Sequence, residues 1–320
     1  MKKLLIGIDI GGTTIKIGFI DTLGEIIHKW EIPTQKDGSG DKIVQDIKKS
    51  IVESKVTLAL ENGQFLGIGI GAPGVINHKT GTVHAVNIGW TNYPLKEKIE
   101  EIFNLPVWIE NDANMAVLGE NWRGAGNGEE NVMLITLGTG VGGGVIANGH
   151  LLRGESGAAS EIGHVIVKQD GITCNCGRKG CLETIASATG MVHQAKEIVK
   201  SHPESRVAQL YRGNQTISVK DIFNLAKNGD EHSQQIIDYT TTVLAFALQN
   251  MATIINPSRI LIGGGVSNAG DALLNPLKEK FMSIALPEIS QTCELKIAAL
   301  GNDAGIMGAA YVVLSETNEN

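Results

Sequence analysis

Short apolar runs, glycine turns and longer amphipathic stretches succeed one another along the chain. KLLIGIDI, residues 3–10, reads as a buried strand, and IKIGFID, 15–21, as a second strand joined to it through Gly11 and Gly12. EIIHKWEI, 25–32, alternates apolar and polar positions as a third strand would. A mostly helical segment follows at about 40–61. FLGIGI, 65–70, is another buried strand and runs into the loop GAPG, 71–74. PLKEKIEEIF, 94–103, predicts a helix with Pro94 at its start. VWIE, 107–110, predicts a short strand, and NDANMAVLGENW, 111–122, the helix after it.

The pattern then restarts. NVMLITLG, 131–138, is a strand, GTGVGGG a glycine turn, and VIANGHLL, 145–152, a returning strand. Helices are predicted at about 182–200, 218–228 and 231–255, strand then turn at RILIGGG, 259–265, and a closing helix at about 302–315. Strands alternating with helices predict an α/β architecture. IDIGGTTIKIGFID and ITLGTGVGGGVIAN share a plan of strand, acidic or small residue, glycine turn with threonine, and strand. They are either unrelated hairpins or the openings of two duplicated α/β domains that hold a ligand between them, since open α/β sheets place ligands beyond the carboxyl ends of their strands.

A length of 320 residues favours two domains, and 42% apolar residues suffice for two cores. A net charge of −7 argues against a broad nucleic-acid face. No run approaches the roughly 18 apolar residues of a membrane span, so neither nucleic acid nor membrane is an expected partner. The opening MKKLLIGIDIGG is interrupted at Asp9 and reads as a strand rather than a signal peptide. Four cysteines do not make a secreted disulfide scaffold, so a cytoplasmic protein is expected.

Glycine turns can aim several backbone N–H groups at one anion, and Thr13, Thr14 or Thr139 can add a hydroxyl donor. Asp9, at the carboxyl end of the first strand, is placed to hold Mg²⁺ directly or through water. Lys16 either frames the same site or forms a salt bridge. Neither turn is a P-loop, and GTGVGG, 138–143, is followed by a strand rather than the helix of a dinucleotide fingerprint. GGGVSNAG, 263–270, lies between strand and helix, where it could pack against a nucleobase or ribose. Phosphoryl transfer to an alcohol needs a carboxylate to accept the hydroxyl proton, and Asp112 in IENDAN is the candidate. Asn111 beside it suits a polyol; alternatively Asn111 and Asp112 cap the next helix.

Cys174, Cys176 and Cys181 crowd into CNCGRKGC, with His164 ten residues before Cys174. Three thiolates and an imidazole make a closed tetrahedral zinc shell; a redox role and simple buried thiols are the alternatives. Four protein ligands would make the zinc structural. It would pin the segment 164–183, with Glu161 before it and Glu183 at its end, and aim both into one pocket. One nitrogen of His164 could bind zinc and the other a substrate. Cys293 stands alone.

DIGGTTIK (9–16), LITLGTGVGGGVIANGHLLRGESGAASEIGH (134–164) and CNCGRKGCLE (174–183), in this order, resemble the signatures of the ROK family of bacterial sugar kinases over nearly the whole chain. The likeness is to the glucokinases of Gram-positive bacteria in particular. It implies duplicated actin-like ATPase domains, ribonuclease H-like in topology, in a hexokinase-type two-domain fold with a cleft. The domains would be 1–120 and 121–302, with a zinc-binding segment at 164–181 and a C-terminal helix at about 303–317 packing back onto the first. It implies ATP, Mg²⁺ and structural Zn²⁺ as cofactors, a hexose as substrate and a homodimer.

Residue by residue, the resemblance makes Asp112 the base that takes the proton from the sugar 6-hydroxyl. It makes Asn111, Glu161, His164 and Glu183 partners of the sugar hydroxyls, with Gly71, Ala72, Pro73 and Gly74 lining the sugar. Gly11, Gly12 and Thr13, and Gly138, Thr139 and Gly140, would surround phosphates, with Asp9 organising magnesium and Gly264 and Gly265 near the adenosine. His164, Cys174, Cys176 and Cys181 would hold zinc. Val75–Ile76–Asn77 stands where many relatives carry a proline and an aspartate, which bears on the choice of sugar rather than on the chemistry. Other hexoses and a non-catalytic sugar-binding protein are the rivals. The family's repressors carry a DNA-binding domain ahead of the first motif, for which eight residues before Asp9 leave no room.

Overall fold

The computed structural model describes residues 2–36 and 40–318. Its elements, in chain order, begin with β1 (Leu4–Ile10), β2 (Thr14–Asp21), β3 (Ile26–Pro33), α1 (Asp41–Thr57), β4 (Phe65–Ala72), β5 (Val75–Asn77), β6 (Thr82–Ala85) and β7 (Trp90–Tyr93). They continue with α2 (Leu95–Phe103), β8 (Val107–Asn111), α3 (Asp112–Arg123), β9 (Val132–Leu137), β10 (Val141–Ala147) and β11 (His150–Leu151). Next come α4 (Glu183–Ala186), α5 (Ala188–Ser201), α6 (Arg206–Asn214), α7 (Val219–Lys227) and α8 (Glu231–Ile255). The last are β12 (Arg259–Gly263), α9 (Asp271–Ile284), α10 (Pro287–Ser290), β13 (Glu294–Ile297) and α11 (Ala304–Asn318).

The chain forms two compact units: Met1–Gly128 with Leu151–Ala159 and Ala299–Asn320, and Glu129–His150 with Ser160–Ala298. Each is built on a five-stranded sheet of the same plan. The first runs β3-β2-β1-β4-β8 and the second β11-β10-β9-β12-β13. In each, the opening strands form an antiparallel hairpin, and the first of them is joined on its other side by a parallel strand. This is the topology of the duplicated actin-like ATPase fold.

In the first unit the periodicity of β1 decides what covers each face. Leu4, Ile6, Ile8 and Ile10 enter the core that includes Ile43, Ile47 and Ile51 of α1. Each such fully buried side chain contributes about 1.5–3 kcal/mol, and a one-residue slip would move all four off that face. On the other face, Leu5 packs with Met307, Ala310 and Val313 of α11. That face is a shelf of glycines. A Cβ on Gly69 would lie 1.9 Å from the Ala309 carbonyl oxygen, and one on Gly308 would lie 1.7 Å from that of Met115. Glycine is therefore what lets α11 rest on the sheet and on α3. The second unit has one apolar core, in which Met133, Ile135 and Leu137 of β9 meet Leu244 and Leu248 of α8 and Phe281 of α9.

Several sequence expectations need correction. GTGVGGG is not all turn: only Gly138–Gly140 turns, and Gly142, Gly143 and Gly144 lie in β10, paired with β9. Gly143 lies under Ile162, which would be 2.5 Å from its Cβ, so the glycine run admits a close-packed segment onto the strand. The strand expected at 145–152 is broken at Asn148–Gly149, both with positive φ, the dipeptide that favours a tight hairpin turn. The helix expected at about 182–200 divides at Ser187, whose hydroxyl accepts from the Gly190 N–H to cap α5. The helix expected at about 40–61 ends at Thr57, and Pro94 precedes α2 as its cap. The small antiparallel sheet β5-β6-β7 and helix α6 were not foreseen.

Candidate active site

Three adjacent strands of the first unit, β1, β4 and β8, run parallel and end together, with Asp9 opposite Gly71 and Gly71 opposite Glu110. This register gathers side chains separated by about a hundred residues of chain. Asp9 lies on the α11 face, so close to Gly305 that a Cβ there would be 2.6 Å from its carboxyl carbon. Burial pushes the Asp9 carboxyl up to about 6; Lys16 pulls it down and the charge of Asp112 adds to the rise. The Lys16 Nζ stands 4.0 Å from Asp9 Oδ2, so the salt bridge weighed for Lys16 is present, at long range.

Asp112 is exposed at the first position of α3, where the helix dipole favours a carboxylate. Its Oδ1 accepts from the Ala113 N–H at 2.8 Å. Asn111 is a true cap: its Oδ1 accepts from the N–H groups of Ala113 at 2.9 Å and Asn114 at 3.4 Å. Its Nδ2 donates to the Gly74 carbonyl at 3.3 Å, which ties the GAPG loop to the start of α3. Gly71 and Ala72 are buried strand residues, while Pro73 is half-buried and Gly74 exposed. The first glycine turn is closed by Gly11 N–H on the Thr14 carbonyl, 3.0 Å, and held by Thr34, which bonds the carbonyls of Gly11 and Thr13. Gly12 and Thr14 are half-buried and Thr13 is exposed.

The second unit gathers its own set. Its turn is closed by Gly138 N–H on the Gly140 carbonyl at 2.9 Å, and α5 begins against it, with Ala188 N–H on Gly138 and the Thr189 hydroxyl on Thr139. Glu183 bends to the same turn: its Oε2 accepts from the Val141 N–H at 3.0 Å. A Cβ on Gly140 would meet that oxygen at 2.3 Å. Gly264 and Gly265 follow β12, and Gly265 borders a cavity of about 1080 Å³ lined by Phe223 of α7, Ile237 and Asp238 of α8 and Ala272 of α9. The glycines are legible in the sequence and these helical walls are not, because they come from three segments that converge only in space.

His164, Cys174, Cys176 and Cys181 converge, each offering a ligand atom within 4.8 Å of the others. Cys174 Sγ is 3.6 Å from His164 Nδ1, and Cys176 Sγ is 3.6 Å from Cys181 Sγ. A tetrahedral shell with metal–sulfur bonds of about 2.3 Å has edges of about 3.8 Å, so the donors fit such an ion. Glu183 is tied to this cluster as well, its Oε1 lying 3.6 Å from Cys174 Sγ. Glu161 is exposed and opens the 3₁₀ turn that carries His164, directly after Ser160, which has a positive φ of 66°.

Two buried carboxylates were overlooked in the sequence. Glu110 lies beneath Asn111, 2% exposed and paired with Arg153. Glu120 is fully buried and accepts from the N–H groups of Ala125, Ala299 and Leu300. For Glu110 a signal existed, an acid ending the apolar run VWIE; its partner could not be named from local pattern. Among the described residues no helix is long and apolar enough to cross a membrane.

The ROK family profile matches residues 5–316. A glucokinase of Halalkalibacterium halodurans is 48% identical over 98% of this chain and 96% of its own length. A glucokinase of Thermotoga maritima is 38% identical over 98% of both. Among solved structures, a ROK family glucokinase from Streptomyces griseus in complex with glucose and AMPPNP superposes with a TM-score of 0.79 at 36% identity, covering 97% of this chain and 98% of that one. The chain belongs to the ROK family.

Proposed function

We propose that this protein is an ATP-dependent glucokinase, which transfers the γ-phosphoryl group of ATP to the 6-hydroxyl of D-glucose to give glucose 6-phosphate and ADP. The observation that carries the reading is its end-to-end similarity to glucokinases. The carboxylates at the ends of β1 and β8 supply the chemistry such a reaction requires.

Asp112 takes the proton of the attacking hydroxyl. It is exposed at a helix N-terminus, where the dipole favours a carboxylate. Asn111, with its oxygen committed to the cap, turns its amide nitrogen toward the GAPG loop and presents a donor to a sugar hydroxyl. In the second unit Glu161, His164 and Glu183 are the proposed sugar partners. Both glycine turns offer backbone N–H groups to phosphates, and the cavity beside Gly265 receives the nucleoside. Asp9 fits a divalent cation: it is a largely buried carboxylate that burial raises to about 6, and a bound cation would favour its ionised form. Mg²⁺, when bound, spreads the negative charge of the donor phosphates. Transfer is direct and in line, and the chain contributes positioning and fixed charge.

His164, Cys174, Cys176 and Cys181 are proposed to hold one structural zinc, which fixes the segment bearing Glu183. Metal analysis of freshly folded protein should find one zinc per chain; a content well below one removes this part of the reading. A homodimer is expected, and light scattering at twice the chain mass checks it. The central test is ADP release from Mg-ATP with glucose, N-acetylglucosamine, mannose, fructose or no sugar. Preference for glucose is expected. Preference for another hexose would keep the chemistry and change the substrate, and no sugar-dependent release would overturn the proposal.

A further inference from the structure

Glu110 is a buried carboxylate. It is 2% exposed at the end of β8, immediately before the proposed sugar and proton-accepting residues. Burying an ionised carboxylate is costly unless it is paired and hydrogen-bonded, and each of its oxygens is engaged. Oε2 accepts from Arg153 Nε at 2.6 Å. Oε1 accepts from the Asn111 N–H at 2.9 Å and from Asn114 Nδ2 at 3.1 Å. His78 Nε2 stands 3.6 Å from the same oxygen.

These partners divide into two kinds. Asn111 and Asn114 belong to the turn from β8 into α3, the stretch that aims Asn111 and Asp112. Arg153 belongs to Leu151–Ala159, which returns to the first unit from the second. His78 follows β5, beyond the GAPG loop that Asn111 also holds. One buried carboxylate thus fixes the backbone beneath the proposed base and anchors the returning segment to the same point.

We infer that Glu110 is a positioning residue for the phosphoryl acceptor: it sets the geometry of Asn111 and Asp112, and Arg153 is the cation paired with it in that place. The inference rests on the sugar-kinase reading for its kinetic consequence and on the structure alone for its geometric one. It acts through Asn111 and Asp112, so its loss falls on the acceptor side of the reaction and leaves the nucleotide side intact.

The test uses the full-length chain with Glu110→Leu, Glu110→Gln, Arg153→Met and the double variant Glu110→Gln/Arg153→Met. Kinetics are paired with hydrogen exchange, followed by mass spectrometry, of the peptide covering 107–123. Glu110→Leu removes the acceptor of three hydrogen bonds. It should lower kcat at least about tenfold and raise the sugar KM, with the ATP KM within about twofold of wild type. The same peptide should lose protection. Glu110→Gln keeps an acceptor and should stay within about threefold of wild type. Arg153→Met leaves the carboxylate buried without its cation, and the double variant should recover most of that loss. A merely structural role would reduce the folded fraction and leave kcat, both KM values and the exchange of the folded molecules unchanged, and that result overturns the inference. Wild-type protein inactive on every sugar would sink the kinase reading instead. The exchange comparison would then still decide the geometric claim: unchanged protection in Glu110→Leu overturns it, and lost protection supports it.

Discussion

The two glycine hairpins open sheets of the same plan, yet they are chemically different. In the first, Asp9 lies across from Lys16, and the turn spans Gly11 to Thr14. In the second, the equivalent pair is Thr136 across from Gly142, and the turn is one residue shorter, Gly138 to Gly140. The first carries its own charge and adds that of Asp112. The second has none and borrows a carboxylate, Glu183, from the start of α4 to bind its Val141 N–H. Both turns are closed by a backbone N–H on a carbonyl, and they differ in their ionisable groups. A backbone N–H cradle is generic for phosphate, whereas a cation site or a proton acceptor must be built once, at one place.

The comparison should break first at the carboxylates. Asp112→Asn should lower kcat at least about 10²-fold in a coupled ADP assay, because the amide accepts no proton. Asp9→Asn should cost about as much at ordinary Mg²⁺. Thr136→Val, the matching change in the second hairpin, should cost less than about threefold. Equal losses for Asp9→Asn and Thr136→Val would erase the asymmetry.

A smaller effect should separate the turns sterically. Gly140→Ala drives a methyl into Glu183 Oε2, so the carboxylate must give up the Val141 N–H, and should destabilise by about 0.5–1.5 kcal/mol in thermal or urea unfolding. Gly12→Ala meets nothing nearer than Asn87 Nδ2 at 3.8 Å and should change stability by less than about 0.5 kcal/mol. If the two variants unfold alike, Glu183 is not seated on the second turn.

The last effect is one of pH and belongs to the first hairpin alone. The Asp9 carboxyl is raised in the folded chain from 3.8 to about 6. The folded state therefore holds this proton more tightly than the unfolded state, and stability is lost as pH rises from about 4 to about 6. A shift of this size corresponds to at most about 3 kcal/mol, at about 1.4 kcal/mol per pH unit. Asp9→Asn should accordingly be more stable than wild type at pH 7 without Mg²⁺, with the gain vanishing near pH 4. In activity, the acidic limb should lie near 6 at low Mg²⁺ and move lower as Mg²⁺ competes with the proton. A limb that ignores Mg²⁺ would detach Asp9 from the cation.

Much of the fold could be read from local pattern. The apolar runs of β1, β2 and β4, the alternation in β3 and the long helix α8 are properties of contiguous residues, and the structure has them at or near the expected bounds. So is the crowding of Cys174, Cys176 and Cys181, which a single knuckle of chain brings together. Local pattern misled where glycine was taken only as a turn former. Gly142 to Gly144 form a strand by pairing with β9, and at Gly143 the close approach of Ile162 requires glycine. It also failed for the short strands β5 to β7, whose stability comes from pairing with each other rather than from their own sequences.

The sequence by itself determined the α/β class, the duplicated plan, the two glycine turns and which residues carry ionisable side chains or thiols. Those follow from periodicities of 2 and 3.6 and from side-chain identity, which need no knowledge of distant contacts. Only the tertiary structure decided that Asp9 and Asp112 share a field, that Glu110 answers to Arg153, and that three helices enclose a cavity beside Gly265. Each of these depends on parallel pairing and packing between segments far apart in the chain. Their register is set by the burial of whole faces at once, a property that no local window contains.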